Sequence, residues 1–314
     1  MTEPQHVRQR DQGERKDLSY PPTPESLVVG VYDNHTHLEI ADGVEPLTYR
    51  EQLDRASAVG IRGIVQVGTD VATSTWGAEM AAVEPRMLAA VAVHPNETAV
   101  LEQRGELDAA LEAIAALATR PRVRAVGETG LDYFRTTDPA GRAAQLRAFE
   151  AHIEIAKKNN LALQIHDRDA HDDVVATLKR VGAPERTVFH CFSGGEELAE
   201  ICTQNGWYMS FAGTVTFKNA TTLREALDRA PRSLLLVETD APFLTPVPYR
   251  GRPNAPYLLP HTLRFMASHL GTDVTMLAAQ INSNTESVYG HWDDEPVTSQ
   301  RGPFADQPSP SQAP

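Results

Sequence analysis

Residues 28–37 read Val28-Val29-Gly30-Val31-Tyr32-Asp33-Asn34-His35-Thr36-His37, an apolar run that ends in two histidines. The figure returns along the chain. Glu128 follows VRAVG, His166 follows LALQI, His190 follows RTVF and Asp240 follows LLLVET. Each run reads as a β-strand, so six potential metal ligands stand at strand ends. A closed parallel barrel gathers the C-terminal ends of its strands on one face, where such folds do their chemistry. Ligands far apart in sequence then converge. A doubly wound open sheet, the rival, would spread them along an edge.

Outward from these points, short apolar runs alternate with helical patterns. Strands are expected at 28–34, 62–67, 88–93, 123–127, 161–165, 186–190, 206–211 and 234–238. Helices are expected at 48–58, 73–83, 105–118, 139–159, 170–180, 196–205, 219–229 and 260–282. LDAALEAIAALA and GRAAQLRAFEAHIEIAKK carry apolar residues at helical spacing. Eight alternations over residues 28–292 fit a (β/α)8 TIM barrel, for which about 250 residues is typical. The polar, proline-bearing stretches 1–27 and 293–314 read as disordered tails.

Composition narrows the function classes. The formal net charge is −13, which argues against a protein that coats DNA non-specifically. Transient processing of nucleic acid stays open, because cations can meet the phosphates. No apolar run approaches the ~18 residues of a membrane span, and the N-terminus shows no apolar segment of signal-peptide type. With two cysteines, Cys191 and Cys202, a disulfide scaffold is not expected. The expectation is a cytoplasmic monomer with no membrane partner.

In an extended chain, residues two apart project to one side, so His35 and His37 can face one ion. Alone, the pair is a weak sign, since two solvated histidines are common; after an apolar strand, metal binding and solvation stand level. Glu128 lies between Gly127 and Gly130, which let the backbone come close to what it binds. It can bridge two cations through its two oxygens, or be an acid in a glycine turn. Asp132 reads as an orienting partner for a ligand or as a turn residue. After His166, Arg168 offers a planar fork for phosphate or pairs with Asp169 or Asp172. Asp169 itself reads as a helix-start residue. Cys191, beside His190, reads as a small buried side chain, because no general base for a thiolate is visible. Asp240 combines a ligand role with that of proton acceptor for a water. Lys218, Arg250 and Arg252 read as phosphate contacts or as solvated loop residues. His94, after VAV, reads as a substrate contact or a loop histidine.

In order, DNHTHL, VHP, GETGLDYFR, IHDRDA, FHCFSGG, SFAGTVTFKNA, VETDAPFLTP and RGRPN resemble the TatD-family metal-dependent deoxyribonucleases, from about Val29 to Gly290. The resemblance implies a TIM barrel of the metal-dependent hydrolase type with two divalent ions (Mg²⁺, Mn²⁺ or Zn²⁺). One ion would be held by His35, His37, Glu128 and Asp240, the other by Glu128, His166 and His190. Glu128 and Asp240 would serve catalysis. Arg168, Lys218, Arg250, Arg252 and His94 would meet the substrate. The implied activity is hydrolysis of DNA phosphodiester bonds by an activated water, often as a 3′→5′ exonuclease, with single strands or strand ends as transient substrate. Asn96, Thr129, Asp167 and Ala255 depart from the family pattern and bear on substrate preference and metal tuning. The alternative keeps the metals and changes the bond: a deacylase or amidohydrolase acting on an ester or amide such as mischarged aminoacyl-tRNA. A non-catalytic metal-binding scaffold, a third class, has no need of Asp240 beside an open water site.

Overall fold

The computed structural model describes residues 6–11, 13, 15 and 17–293. Eight strands run parallel in sequence order: β1 (Val31–Thr36), β2 (Ile61–Val67), β3 (Met87–Val91), β4 (Val123–Asp132), β5 (Ala162–Arg168), β6 (Thr187–Phe189), β7 (Tyr208–Phe211) and β8 (Leu235–Val237). The sheet closes where β8 meets β1. His37 N donates to Ala241 O at 2.8 Å, and Asp240 N donates to His35 O at 3.0 Å. This closure brings Asp240 beside His35, on β1, and His37, just past its end. The expected TIM barrel is the observed fold.

Side-chain alternation builds two cores. Ile64, Met87, Ala89, Val91, Leu163 and Phe189 point outward and pack under the helices. Val65, Val67, Leu88, Val188 and Leu236 point into the barrel with Ala90, Ala125 and Ala162. Those three alanines leave room for rings, and Tyr32, Tyr289 and Trp292 join the same cluster. Trp292 stacks on Tyr32 at 4.1 Å, and its Nε1 donates to Ile64 O at 3.3 Å. Tyr289 comes from α10 (Val274–Tyr289), the last helix among the described residues. Its hydroxyl bonds Gln164 and Asn34 in the barrel interior. The end opposite the ligands is therefore sealed.

Several boundaries differ from the sequence reading. β1 starts at Val31, not residue 28, because Val28 stands out in solvent. β4 was expected to stop at 127 but continues to Asp132, paired with β5 from Thr129↔Ile165 to Asp132↔Arg168. Gly130 permits this: its φ is +136°, and a Cβ there would meet His166 O at 2.1 Å. A further helix, α3 (Pro95–Arg104), precedes α4 (Leu107–Leu117); proline opens it and Gly105 closes it in the left-handed region. The single helix expected at 260–282 is two, α9 (Leu259–His269) and α10, parted by Gly271 and the Asp273 cap.

The N-terminal expectation needs correction for the described residues. Arg8–Gln9 pairs as a parallel strand with Ile40–Ala41, just past β1. Leu27 N donates to Val59 O, and Tyr257 OH donates to Pro21 O. Arginines give this polar stretch something to bind, namely the buried carboxylates of Glu39 and Asp42. The C-terminal tail from 294 lies outside the described residues. No described helix is long and apolar enough to cross a membrane.

Candidate metal centre

A cleft of about 330 Å³ opens at the C-terminal ends of the strands, with His37, His94, Glu128, His166 and Asp240 in its wall. A larger cavity, about 520 Å³, lies between residues 18–20 and 44–47 and holds none of the expected ligands. The chemistry belongs to the smaller cleft.

Glu128 organises the site. Its Oε1 is 2.6 Å from His166 Nδ1, 2.8 Å from His190 Nε2 and 3.4 Å from His94 Nε2. Its Oε2 is 3.6 Å from His35 Nε2 and 3.7 Å from His37 Nε2. The two oxygens thus face two different sets of imidazoles. On the Oε2 side, the Nε2 atoms of His35 and His37 converge to 3.3 Å. Asp240 Oδ1 completes that set, 3.5 Å from His37 Nε2 and 3.9 Å from His35 Nε2. The rings of His35 and His190 stack at 3.8 Å, joining the two sets.

Neighbours aim these nitrogens. His37 Nδ1–H donates to Val67 O at 2.8 Å, which leaves Nε2 for the cleft. Glu238 Oε1 lies 3.2 Å from His190 Nδ1 and accepts from Cys191 N at 2.8 Å, so His190 also presents Nε2. Asp132 Oδ2 lies 3.2 Å from His166 Nε2. Such partners fix tautomer and ring orientation in metal sites. His94 differs. Its Nδ1 accepts from Asn96 N at 3.0 Å, as the cap of α3. The proton of the neutral ring then sits on Nε2, which faces Glu128 as a donor.

The charges are strained toward cations. Burial pushes the Glu128 carboxyl up, yet His190, His94 and His166 together hold it well below the usual range. Burial likewise pulls His190 and His166 down, but the carboxylates around them win and both imidazoles rise above their ordinary value. Burial lowers His35 and His94. Asp132 falls to about 2, where its bond to His166 overcomes burial. His35 Nδ1 and Glu238 Oε2 are buried without a hydrogen-bond partner among the described residues. Carboxylates that favour the charged form of the imidazoles beside them, and two imidazole nitrogens crowded to 3.3 Å, fit a site that takes cations. Divalent ions displace such protons on binding. The clusters His35–His37–Asp240, His94–Glu128–His166 and His35–His190–Glu238 are each close enough to hold a metal, and a nitrogen-rich set with carboxylates suits Zn²⁺ or Mn²⁺.

All six expected ligands come together. Of the expected substrate contacts, Arg168 and His94 line the cleft. Lys218 and Arg250 do not; Lys218 is exposed, and Arg250 lies over the Phe217 ring at 4.4 Å. Arg252 is engaged elsewhere, donating to Ser19 O, Ser19 Oγ and Tyr20 O. The sequence reading passed over Glu238, Arg135 and Arg8. Glu238 stands in the same strand-end run as Asp240, which is the signal that could have found it. The four departures have local roles or partners. Asn96 donates its backbone N to the His94 cap, Thr129 Oγ1 is 2.8 Å from His152 Nδ1, Asp167 Oδ2 is 2.7 Å from His171 Nδ1, and Ala255 is buried with its N donating to Asn254 Oδ1.

Residues 32–290 match the family described as TatD related DNase. A Mycobacterium tuberculosis protein described as an uncharacterized metal-dependent hydrolase, TatD, is 40% identical over 261 residues, 82% of this chain and 97% of that one. A Citrobacter rodentium protein described as a 3′-5′ ssDNA/RNA exonuclease, TatD, is 36% identical, covering 76% of this chain and 91% of that one. The crystal structure of YJJV, a TatD homolog from Escherichia coli K12, superposes with a TM-score of 0.74 at 26% identity, over 83% of this chain and 98% of that one. With a barrel whose strand ends converge on buried clusters able to bind metal, this chain belongs to the TatD related DNase family of metal-dependent hydrolases.

Proposed function

We propose that the chain hydrolyses phosphodiester bonds of DNA, removing nucleotides from the 3′ end of single strands with two divalent cations. The observation that carries this is the position of Glu128, one oxygen toward His35 and His37 and the other toward His166 and His190. Only a carboxylate can serve two cations in that way. One cation would be held by His35, His37, Glu128 and Asp240, the other by Glu128, His166 and His190. Divalent ions lower the pKa of a water and offset charge on phosphate oxygens.

The chain's own groups do the rest. Asp240, partly open to the cleft, accepts the proton of the attacking water on its carboxylate. His94 offers Nε2–H to a phosphate oxygen, since its Nδ1 is occupied by Asn96 N. Arg168 and Arg135 line the cleft and hold the backbone phosphates. Arg168 is braced on the Phe134 ring, its Cζ 3.9 Å from the centroid. That exposed ring suits stacking by an unpaired base, which duplex DNA does not offer. The C. rodentium relative and an Escherichia fergusonii one, 35% identical, carry the exonuclease description and support the same reading.

The test is product analysis. End-labelled single strands, free or blocked at the 3′ end, are incubated with Mg²⁺ or Mn²⁺ beside RNA and aminoacyl-tRNA. Mononucleotides released only from free 3′ ends, and none in chelator, is the expected result. Intact DNA under each metal, with an ester or amide bond cleaved, would replace this reading by the deacylase one.

A further inference from the structure

We infer that Arg8, brought to the cleft by the N-terminal segment, is a phosphate-binding residue of this enzyme. The inference rests on the phosphodiester reading and names a contact outside the matched family region, which begins at residue 32.

The segment is placed by many bonds. Val7 N and Arg8 N donate to Glu39 O, and Arg10 N donates to Ala41 O, adding a short parallel strand. Arg10 bonds Asp42 at 3.1 Å and also Pro242 O, and its guanidinium lies 4.7 Å from the centre of the Phe243 ring. Phe243 itself lines the cleft. Arg15 bonds Asp42 as well. These anchors span the closure between β1 and β8, so the residue between them cannot drift from the mouth.

Arg8 lines the same cleft as Arg135, Arg168, Glu128 and Asp240. Its Nη2 donates to Glu39 Oε1 at 2.5 Å, while Gln66 Nε2 holds Glu39 Oε2 at 2.5 Å. Neutralising Glu39 is thus one duty of Arg8. It does not use the whole group. A guanidinium has five N–H donors in a rigid fork. Nε is buried with no hydrogen-bond partner among the described residues, and the side chain is 35% exposed. Nε is closed to the cleft, but the exposed part of the fork borders it, where a ligand oxygen can reach. Glu39 fixes the guanidinium from one side, and the remaining N–H groups suit a non-bridging phosphate oxygen.

The experiment uses the full chain and the variants Arg8→Gln and Arg8→Lys. Inorganic phosphate is titrated into Mn²⁺-supplemented protein by calorimetry, and KM is measured on labelled single-stranded DNA. Arg8→Gln should weaken phosphate binding roughly tenfold, the size of one charge-assisted hydrogen bond. It should raise KM comparably with a smaller change in kcat, and Arg8→Lys should restore part of both. Mn²⁺ stoichiometry should hold. If Arg8→Gln fails to fold, Arg8→Gln with Glu39→Gln removes the whole pair and carries the same test. Equal phosphate affinity in wild type and variant, or no phosphate binding in either, overturns the inference and leaves Arg8 a partner of Glu39 alone. Weakened phosphate binding in a protein that cleaves no DNA supports the Arg8 contact while the nuclease reading falls.

Discussion

Asp132 holds His166 by the ring nitrogen that Glu128 does not use, Oδ2 at 3.2 Å from Nε2, while Glu128 lies 2.6 Å from Nδ1. The imidazole is thus gripped between two carboxylates on adjoining stretches of one strand. Asp132→Asn keeps an acceptor for Arg135 N but loses the charge that aims His166. Cation affinity should fall about 10–100-fold, the usual effect of losing such a partner. Mn²⁺ titration of the variant checks this, with melting temperature as the control for fold; unchanged affinity would reduce Asp132 to a turn residue.

Glu128→Ala should cost both cations, because each set of imidazoles faces one of its oxygens. Metal analysis after dialysis should then find well under one ion per chain. Asp240→Asn should keep the fold and still bind some metal, yet lose about 10²–10⁴-fold in turnover as the proton acceptor disappears. Near-normal rates in Asp240→Asn with metal present would remove Asp240 from the chemistry.

Phe134, 56% exposed beside Arg168, is the stacking surface expected for an unpaired base. Phe134→Ala should weaken single-stranded DNA binding by about 1–3 kcal/mol and leave cleavage of a small phosphodiester unaffected. Fluorescence anisotropy with labelled oligonucleotides measures the first, and a chromogenic diester the second. Equal affinity for DNA would leave the ring with only its Arg168 contact.

His152 is buried on α5 (Pro139–Asn159), accepting from Val93 N at Nε2 and facing Thr129 Oγ1 with Nδ1. Burial pushes its pKa down to about 3, against about 6.5 in an unfolded chain. Below about 6.5 the unfolded chain therefore gains a proton that the folded chain refuses. Stability from this group is whole above pH 6.5 and drains away as pH falls toward 3, by up to ~1.4 kcal/mol per unit. Urea unfolding of wild type and His152→Gln at pH 7, 6 and 5 should show a shallower acid loss in the variant. Parallel curves would assign the acid sensitivity elsewhere.

The polar composition of residues 1–27 reads as dispensable, and the described contacts reverse that expectation. A chain lacking residues 2–16 leaves Glu39 and Asp42 buried without Arg8, Arg10 and Arg15. Buried carboxylates stripped of a partner cost on the order of 1–3 kcal/mol each. Scanning calorimetry should show a drop of several degrees; an unchanged melting temperature would return the segment to the status of a tail.

The barrel and its six strand-end residues were legible because they share one local sign, an apolar run followed by a polar ligand type. Arg8 carries no such sign. Its place depends on pairing with Ile40–Ala41, a long-range choice that composition does not express. Glu238 hid for a different reason. It sits on the strand side of Asp240, where a buried acid looks like a break in the apolar run, and only the fold shows His190 beside it. Arg252 misled because a basic loop looks the same whether it faces phosphate or, as here, the backbone of Ser19 and Tyr20. The break between α9 and α10 was readable from Gly271 and Asp273 but was outweighed by the apolar period on either side.

The stacked rings of Tyr32 and Trp292 turn the barrel into a blind alley. Nothing can thread through it. On the strand-end reading, a nucleotide cut at the ligand face leaves by the door through which it came, past the chain still waiting there. Under the proposed exonuclease activity, substrate strand and released nucleotide would share the same opening at the ligand face. A blocked floor would then leave the strand no route onward through the protein, whatever its length.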